Sequence, residues 1–518
     1  MKYFVSIQYS GIQKTVMRHN RLWSIAGISQ GLSLLNEIEL PNIAKELGGK
    51  VMVAGGGKFT AFFGTEEAAS DARQKMIEKI TTSFPMLEFQ ISPVIGAETF
   101  AGAKAKGIID NLNNEKQRFR GYGVSFLPHM AVCVECGEYP AEERGAKDPK
   151  KLCRTCQEAW DRAYTIKIPS GSKATTLQRI YRLYFEATHT QCRPPFNFDD
   201  LFADGQEATS GEDRQRMAVW FSDLNNMNSK VPIWLAQKDE EIYNIFEKVK
   251  NANIAVVSDA LIATFPNPAG SYLPFRLVVA GGDDLCLVMA EENILTFAKH
   301  LDAAVRTHVD RLDEGNPLNM QWLRGRAIAG KEIGPYSFGA SFVITSTHTP
   351  FRLIHEVGET LMKCAKEETG REGNSINWRI RPESEDDIAD QPLEFERPLF
   401  IVRPDSTMQP GKPPAYGRLS LLDYLTLRDK YSSISKSHRF AIIAESIELR
   451  AVRREEEFED WLKCFDASDR DKSFSGLLTE PLLRRGKDGP LLPARIATLF
   501  ELLSIKTSPQ SSQQEEKP

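Results

Sequence analysis

One short stretch constrains the fold more than any other, because it predicts a tight β-hairpin with acidic residues at its tip. Residues 274–289 read PFRLVVAGGDDLCLVM. Two apolar, β-prone runs flank Gly281 and Gly282, which are followed at once by Asp283 and Asp284. Glycines allow the positive φ angles of tight turns and let a nucleotide approach the backbone, so we expect positive φ at both. The pattern predicts a hairpin that presents two carboxylates at one spot.

A third carboxylate is expected to join this pair. Adjacent carboxylates repel, so they are best tolerated where a cation such as Mg²⁺ or Mn²⁺ binds between them and a phosphate. Residues 216–221 (RMAVWF) have the pattern of a buried strand, and Asp223 follows where this strand emerges. The order strand, acid, helix and acid-tipped hairpin is that of a nucleotidyl-cyclase or polymerase palm. Asp223, Asp283 and Asp284 are therefore candidate catalytic residues and metal ligands; the alternative for Gly-Gly-Asp-Asp is a surface turn.

A similar strand and glycine hairpin occur near the start of the chain, which makes a weak internal repeat. Residues 3–8 alternate like a strand, a helical stretch extends to residue 35, and residues 50–63 read KVMVAGGGKFTAFF. Gly57 and Lys58 stand where the later hairpin has its aspartates. The pattern predicts a catalytically silent copy. Its glycines would either line a nucleotide pocket or pseudo-symmetric interface, or simply form a turn; they are Gly55, Gly56 and Gly57.

Four of the eight cysteines form a metal-binding pattern. Two Cys-x-x-Cys pairs are separated by sixteen residues, and they comprise Cys133, Cys136, Cys153 and Cys156. This spacing is typical of a closed, tetrahedral, structural Zn²⁺ site, with redox or incidental cysteines as the alternative. We expect the zinc to fold a loop-rich insertion between the two copies and not to catalyse.

The remaining pattern predicts further helices and strands. We expect helices at residues 66–82, 101–118, 173–188, 291–312 and 351–368, and strands at 86–94 and 336–345. Together these give an α+β fold with two ferredoxin-like palm (cyclase/polymerase-type) domains, a zinc-binding insertion and a C-terminal all-α domain. The expected divisions are a silent palm (1–127), the zinc insertion (128–165), a helical connector (166–215), the acid-bearing palm (216–385), a linker (386–414), the helical domain (415–505) and a disordered tail (506–518).

Composition narrows the cellular setting. The chain has 518 residues, 41% of them hydrophobic, which is ample for several globular cores. No apolar run approaches the length of a membrane span, and the first residues lack the apolar core of a signal peptide, so we expect a cytoplasmic protein without a membrane partner. With a net charge of −5, nucleic-acid contacts must come from a local patch or from partner proteins.

The ordered set of motifs resembles a known family. Ser10-Gly11-Ile12-Gln13, the first glycine hairpin, the paired cysteines, Asp223 and the Gly-Gly-Asp-Asp hairpin follow one another as in the large polymerase/cyclase subunit of type III CRISPR effector complexes. The resemblance spans most of the chain, including its helical C-terminal part. Each motif alone is weak evidence, but their order is specific.

The resemblance implies a function and assigns residues to it. It implies an antiviral ribonucleoprotein subunit that senses guide-paired target RNA together with other subunits, and joins ATP into 3′-5′ oligoadenylate messengers, commonly cyclic. Asp223, Asp283 and Asp284 match the Mg²⁺ ligands. The residues that match nucleotide-binding positions are Gly281 and Gly282 at the turn, Lys366 near the triphosphate, and Ser337 and Ser341 in the strand that lines the base pocket.

Two departures from the family pattern affect this interpretation. Many members carry a second acid two positions after the first ligand, and Asn225 stands there in this chain. We also expect the N-terminal HD nuclease domain of the family to be absent, since the silent palm begins at residue 3 and none of the eight histidines precedes an aspartate. We therefore expect no nuclease activity. In some relatives without this domain the product resembles AMP joined to S-adenosylmethionine, and the sequence does not decide between the two products.

Two other functions compete with this one. A diguanylate-cyclase-like enzyme shares the palm but normally has glutamate in its glycine hairpin, and it has no reason for a zinc insertion or a second palm. A non-enzymatic scaffold of the complex is the other candidate. The intact set of three aspartates favours an enzyme over a scaffold.

Overall fold

The computed structural model contains two β-sheets, each covered by helices. It describes residues 1–10, 12–17, 19, 21–85, 87–118, 131–137, 139–141, 151–164, 174–202, 216–310, 317–319, 323–326, 333–380, 398–402, 419–432, 434, 483 and 493–505. Within these ranges, no helix combines the length and the apolar character needed to cross a bilayer.

The first sheet is built around a long central strand. Strand β1 pairs antiparallel with β3 on one side and with β4 and β5 on the other, and the hairpin of β2 and β3 completes the order β2-β3-β1-β4. The strands are β1 Lys2–Ser10, β2 Lys50–Gly55, β3 Lys58–Phe63, β4 Glu88–Ile91 and β5 Ile95–Ala97. The helices are α1 Ile12–Met17, α2 Leu22–Leu34, α3 Leu40–Glu46, α4 Glu66–Ser83, α5 Phe100–Ala105 and α6 Ile108–Arg118, and a π-helical turn, Leu35–Glu39, joins α2 to α3.

Two helices connect the sheets. The first, α7 (Arg154–Tyr164), carries the last cysteine of the metal-binding pattern, and the second, α8 (Thr176–Thr188), begins with a capping box between Thr175 and Gln178. A capping box satisfies backbone donors at a helix start, which explains why the predicted helix at 173–188 begins at residue 176.

The second sheet repeats the order of the first and then extends it. Its order is β11-β10-β9-β6-β8-β7. The strands are β6 Arg216–Leu224, β7 Phe275–Gly281, β8 Asp284–Ala290, β9 Phe338–Ser346, β10 Ser375–Ile380 and β11 Leu399–Phe400. The helices are α9 Met227–Leu235, α10 Asp239–Thr264, α11 Ile294–Asp310 and α12 Phe351–Glu368.

The internal repeat predicted from sequence is visible in the strand pairing. In both sheets the first strand lies between the second strand of a hairpin and a later antiparallel strand, the βαββαβ order of ferredoxin-like folds. Two corresponding hydrogen bonds mark the same register: Tyr9 N donates to Gly57 O at 2.9 Å, and Leu224 N donates to Asp283 O at 3.3 Å. Gly57 and Asp283 therefore occupy equivalent positions.

Several predicted element bounds differ from the structure for local reasons. The strand expected at 86–94 is interrupted at Ser92, whose hydroxyl accepts a hydrogen bond from Ser6 N, and at Pro93, which has no amide hydrogen to donate. The helix expected at 101–118 is broken at Gly107, which adopts a φ of +85°. The helix expected at 291–312 begins as a short 3₁₀ turn and becomes α-helical at Ile294; residues 311–312 lie outside the described ranges.

The two halves pack against each other through their helices. Helix α2 of the first half contacts β7, and α10 of the second contacts β2. One apolar core runs from the first sheet to the α12-facing side of the second, joining Val5 and Phe63 to Val278 and Phe351. The acid-bearing hairpin is thus supported from both halves.

Only part of the predicted C-terminal region can be compared. Its described residues include two helices, α13 (Leu421–Lys430) and α14 (Pro493–Leu503), which contact each other. Most of the expected linker and helical domain, and the whole tail at 506–518, fall outside the described residues.

Candidate active site and zinc site

The acid-tipped hairpin forms as the sequence predicts. Gly281 pairs with Asp284, which leaves Gly282 and Asp283 as a two-residue turn between β7 and β8. Gly282 has a φ of +62°, as at the first central position of a type II′ turn. The expectation of positive φ at Gly281 was wrong, because this residue still belongs to the extended strand.

The third aspartate comes to the tip through strand register. Asp223 lies opposite Asp284 in the pairing of β6 with β8, near the end of both strands. Carboxylate oxygens of Asp223, Asp283 and Asp284 lie within 4.8 Å of one another. Three residues that are up to 61 positions apart in the sequence therefore form one acidic cluster.

The cluster is electrostatically strained without a cation. Desolvation, followed by the charge of Asp223, raises the pKa of Asp283 to about 6. Desolvation and the charges of Asp283, Asp223 and Glu359 raise the pKa of Asp284 well above its ordinary value. Both shifts mean that the ionised carboxylates are disfavoured in this setting, and a bound cation would relieve that cost.

Among the described residues, Lys366 is the cation that contacts the acids. It lies in the last turn of α12, is 5% exposed, and forms an ion pair with Asp223 Oδ2. Its Nζ also lies 3.5 Å from Leu224 O. The helix predicted at 351–368 thus delivers this lysine to the acidic cluster, and its contact with a triphosphate stays a prediction.

A narrow crevice opens beside the acids. Its polar end is formed by the hairpin tip, and its apolar end by residues of α10 and α11, including Val256, Leu301 and Val305. Asn253 of α10 donates to Gly282 O at 2.7 Å, and the Tyr336 hydroxyl contacts Asn253 Oδ1. The cavity holds about 60 Å³, so a purine would require movement of the side chains that line it.

The glycine hairpin of the first sheet meets the acidic hairpin tip to tip. Gly56 and Gly57 form its turn with φ angles of +57° and +72°. A Cβ atom added at Gly282 would lie 3.1 Å from Gly56 Cα, and one added at Gly56 would lie 3.9 Å from Asp283 Oδ1. The structure supports an interface at these glycines rather than an isolated turn, and their role in a nucleotide pocket stays a prediction. Gly55 lies beside this contact, with a φ of +153°.

The two predicted serines lie near the site but are directed elsewhere. Ser341 is fully buried in β9 and donates to Gly358 O of α12 at 2.7 Å, so it faces the helix and not the crevice. Ser337 lies one residue before β9, and its hydroxyl accepts a hydrogen bond from Asn225 Nδ2 at 3.0 Å. Nucleotide contacts of these serines stay predictions.

The acidic cluster fits a divalent cation. Oxygen ligands around one Mg²⁺ ion lie about 2.1 Å from it, and so within roughly 4 Å of one another. The three carboxylates come close to this spacing, and their raised pKa values show the charge that an ion would balance. Asp223, Asp283 and Asp284 are thus suited to hold Mg²⁺ or Mn²⁺.

The four cysteines also form one cluster. Their sulfur atoms lie within 4.8 Å of one another, and Cys136 Sγ lies 3.9 Å from Cys153 Sγ. A tetrahedral site with Zn–S bonds of about 2.3 Å requires sulfur separations of about 3.8 Å. Four thiols without an open position fit a structural zinc ion.

The cysteine cluster is built onto helix α2. Glu135, between the first two cysteines, accepts a hydrogen bond from Ser24 Oγ at 2.6 Å and pairs with Arg21. Helix α7 approaches α2 so closely that a Cβ atom on Gly27 would overlap the Ala159 carbonyl. Because α2 also contacts β7, the cysteines are connected by packing to the acidic hairpin.

Sequence reasoning missed three residues near the acids. Asn253 and Tyr336 line the crevice and contact each other, and Lys230 is fully buried behind the turn that follows Asp223. None has a local sequence signal, since an asparagine or lysine in a helix is ordinarily a solvent-facing residue.

Comparison with known proteins gives a fold assignment. No protein-family model and no curated protein match the chain. Among solved structures, it is similar to a Csm1-Csm4 cassette in complex with cA4, with a TM-score of 0.50 and 14% identity over 97% of this chain and 69% of that one. A Csm1-Csm4 subcomplex in the type III-A CRISPR-Csm interference complex has a TM-score of 0.50 and 15% identity over 97% of this chain and 69% of that one. A Csm1-Csm4 cassette in complex with one ATP has a TM-score of 0.50 and 14% identity over 98% of this chain and 70% of that one.

These likenesses extend over nearly the whole chain. They agree with the resemblance that the order of sequence motifs indicated, and identities near 15% make them evidence about architecture. The chain therefore has the fold of Csm1, a protein of the type III-A CRISPR-Csm interference complex.

Proposed function

We propose that this chain is the large subunit of a type III CRISPR effector complex and that it synthesises 3′-5′ oligoadenylates, commonly cyclic, from ATP. The observation that carries the proposal is the meeting of Asp223, Asp283 and Asp284 with Lys366 at the tip of a glycine hairpin. The two βαββαβ units would be a silent palm at 1–127 and an active palm at 216–385. Guide RNA, target RNA and the other subunits would be its partners.

Each part of the site would contribute a different function to the reaction. A bound Mg²⁺ or Mn²⁺ pair would supply Lewis acidity, activating a 3′-hydroxyl and neutralising phosphate charge. The three aspartates hold oxygen ligands at one point, and the Gly282 turn leaves the backbone open beside them. Lys366 brings a positive charge to the same point, where negative charge develops on transferring phosphates.

The crevice beside the acids suits a nucleotide in its distribution of polarity. Its inner end is apolar, and its outer end carries carboxylates and backbone groups, which matches a base at one end and phosphates at the other. Asn253 and Tyr336, which line the crevice, would help to exclude water from a bound substrate.

The first experiment is a product analysis. A complex reconstituted with guide RNA is incubated with ATP, Mg²⁺ and target RNA, with and without S-adenosylmethionine, and the products are identified by chromatography with mass detection. We expect adenylate oligomers that disappear in an Asp283→Ala/Asp284→Ala variant. An AMP conjugate that requires S-adenosylmethionine would replace the proposed product by that messenger, and the absence of any product would leave the chain as a scaffold.

A further inference from the structure

The turn that follows Asp223 is held by buried polar contacts that the proposed chemistry does not use. Strand β6 ends at Leu224, and Asn225 and Asn226 lead into α9. Asn226 adopts a φ of +60°, and its side-chain amide donates to Arg371 O at 3.3 Å. This turn determines how the end of β6, and with it Asp223, is presented to the acidic hairpin.

Asn225 ties the turn to two other loops. It is fully buried, and its backbone amide donates to Ser337 O at 2.8 Å. Its side-chain Nδ2 donates to Ser337 Oγ at 3.0 Å and to Gly373 O at 3.2 Å. Its Oδ1 is buried without a hydrogen-bond partner in the structure. The side chain therefore acts as a donor that bridges the loop before β9 and the loop after α12.

Lys230 holds the same turn from beneath. It is fully buried in α9, and its Nζ donates at 2.9 Å both to Asn225 O and to Pro335 O. Its partners are backbone carbonyls, and burial lowers the pKa of its ammonium group to about 8. Burying a cation without a carboxylate partner is costly, so its position indicates a specific role in fixing these carbonyls.

The turn at Asn225 and Asn226 is connected to the acids through contacts of the neighbouring residue Leu224. Leu224 N, adjacent to Asn225, donates to Asp283 O at 3.3 Å, and the Leu224 carbonyl lies 3.5 Å from Lys366 Nζ. A shift of the turn would move Asp223 relative to both the hairpin tip and Lys366. Ligand geometry at a metal site is sensitive to such outer contacts.

We propose that Asn225 and Lys230 are positioning residues that set the Asp223 carboxylate for metal binding, and that Asn225 does so as a hydrogen-bond donor to Ser337 and Gly373 rather than as a ligand. This inference rests on the proposed function, because it takes the acidic cluster to be a metal site. It assigns two buried residues outside the cluster to the assembly of that site.

The test is a titration of the zinc-loaded full-length chain with Mn²⁺, followed by electron paramagnetic resonance without nucleotide, alongside thermal melting. Asn225→Leu removes the amide without changing charge, and we expect the Mn²⁺ dissociation constant to rise about tenfold. Ser337→Ala is milder and should raise it by about threefold. In the double variant the two effects should be less than additive, since both act through one hydrogen bond.

Lys230→Met separates positioning from simple electrostatics. Removing a buried positive charge near the acids would by its field alone tighten Mn²⁺ binding. If Lys230 positions the turn, binding weakens instead. Lys363→Met, on the exposed face of α12, and Asn42→Ala, on the surface of α3, serve as matched controls and should leave the dissociation constant unchanged.

The outcomes distinguish this inference from the proposed function. Additive effects of Asn225→Leu and Ser337→Ala, or unchanged binding in both, would overturn the positioning role, as would tighter binding in Lys230→Met. A wild-type chain whose Mn²⁺ binding does not depend on Asp283 and Asp284 would overturn the proposed metal site and this inference with it.

Discussion

The acidic cluster should destabilise the metal-free protein, and Asp283→Asn tests this directly. The pKa of Asp283 lies at about 6 instead of its ordinary 3.8. At about 1.36 kcal/mol per pH unit, this difference corresponds to about 3 kcal/mol against the ionised form at neutral pH. The side chain is partly exposed, so solvent screening reduces the expected gain on neutralisation to about 1 to 2 kcal/mol. For a chain of 518 residues that melts as one unit, this corresponds to a melting temperature about 1 to 2 °C higher.

The sign of the pH dependence follows from linkage. Because the raised pKa belongs to an acid, the folded protein holds the proton more tightly than the unfolded chain, so the contribution of Asp283 to stability falls as pH rises from about 4 to about 6. Above pH 6 the full cost is present. Asp283→Asn should therefore raise the melting temperature at pH 8, and by less than half as much at pH 4.5.

Differential scanning calorimetry measures this change in melting temperature, in the presence of a chelator that binds free divalent ions but is too weak to remove zinc from the cysteines. The control is Asp71→Asn, on the exposed surface of α4. Added Mn²⁺ should stabilise the wild type by mass action and have little effect on Asp283→Asn. A variant that melts below the wild type at pH 8 without divalent ions would refute the reasoning. So would a gain of equal size at both pH values.

Three further predictions concern the zinc cluster, the hairpin contact and Lys366. Cys156→Ser should lose one equivalent of zinc by elemental analysis and lower the melting temperature, whereas Cys364→Ser, outside the cluster, should keep the metal. Gly282→Ala should cost about 1 to 3 kcal/mol of unfolding free energy, because alanine is strained at a φ of +62° and its Cβ would press on Gly56. The control is Gly64→Ala, where an added Cβ meets nothing within 4 Å. Equal melting temperatures of the two variants would contradict the contact between the hairpins. Lys366→Met should abolish nucleotide synthesis. It should also tighten Mn²⁺ binding to the acids, because it removes a positive charge paired with Asp223. Loss of Mn²⁺ binding would instead show that the lysine is needed to build the site.

The parts of the site that sequence could predict are those set by local chemistry. Two apolar runs around a glycine turn dictate a hairpin, and a buried strand that ends in an acid places Asp223 at a strand end. The bounds predicted for the helix at 351–368 match α12, because its apolar periodicity is clear and Pro350 precedes it. Once these elements are placed in a βαββαβ order, register alone brings Asp223 opposite Asp284.

The parts that sequence could not predict depend on contacts between distant segments. Nothing near Lys230 indicates burial, because its carbonyl partner at residue 335 is supplied by a loop about a hundred residues later. Asn225 could be noticed as a departure from the family pattern, but its role as a donor to Ser337 and Gly373 exists only in the folded chain. The meeting of Gly56 with Gly282 likewise depends on how the two halves pack.

The contact between Gly56 and Gly282 gives a physical reason why only the second of the two hairpins carries acids. Gly57 occupies the position equivalent to Asp283, at the tip that touches the acidic hairpin. Three carboxylates already share the second tip, and desolvation and mutual repulsion already raise the pKa of Asp283 and Asp284. Further acids at residues 57 and 58 would add like charges beside this cluster, where each close pair is costly. Gly57 adds no charge and Lys58 adds a positive one, so the first hairpin can approach the acids with bare backbone. The lack of acids in the first hairpin is therefore a condition for packing two such hairpins around one acidic cluster.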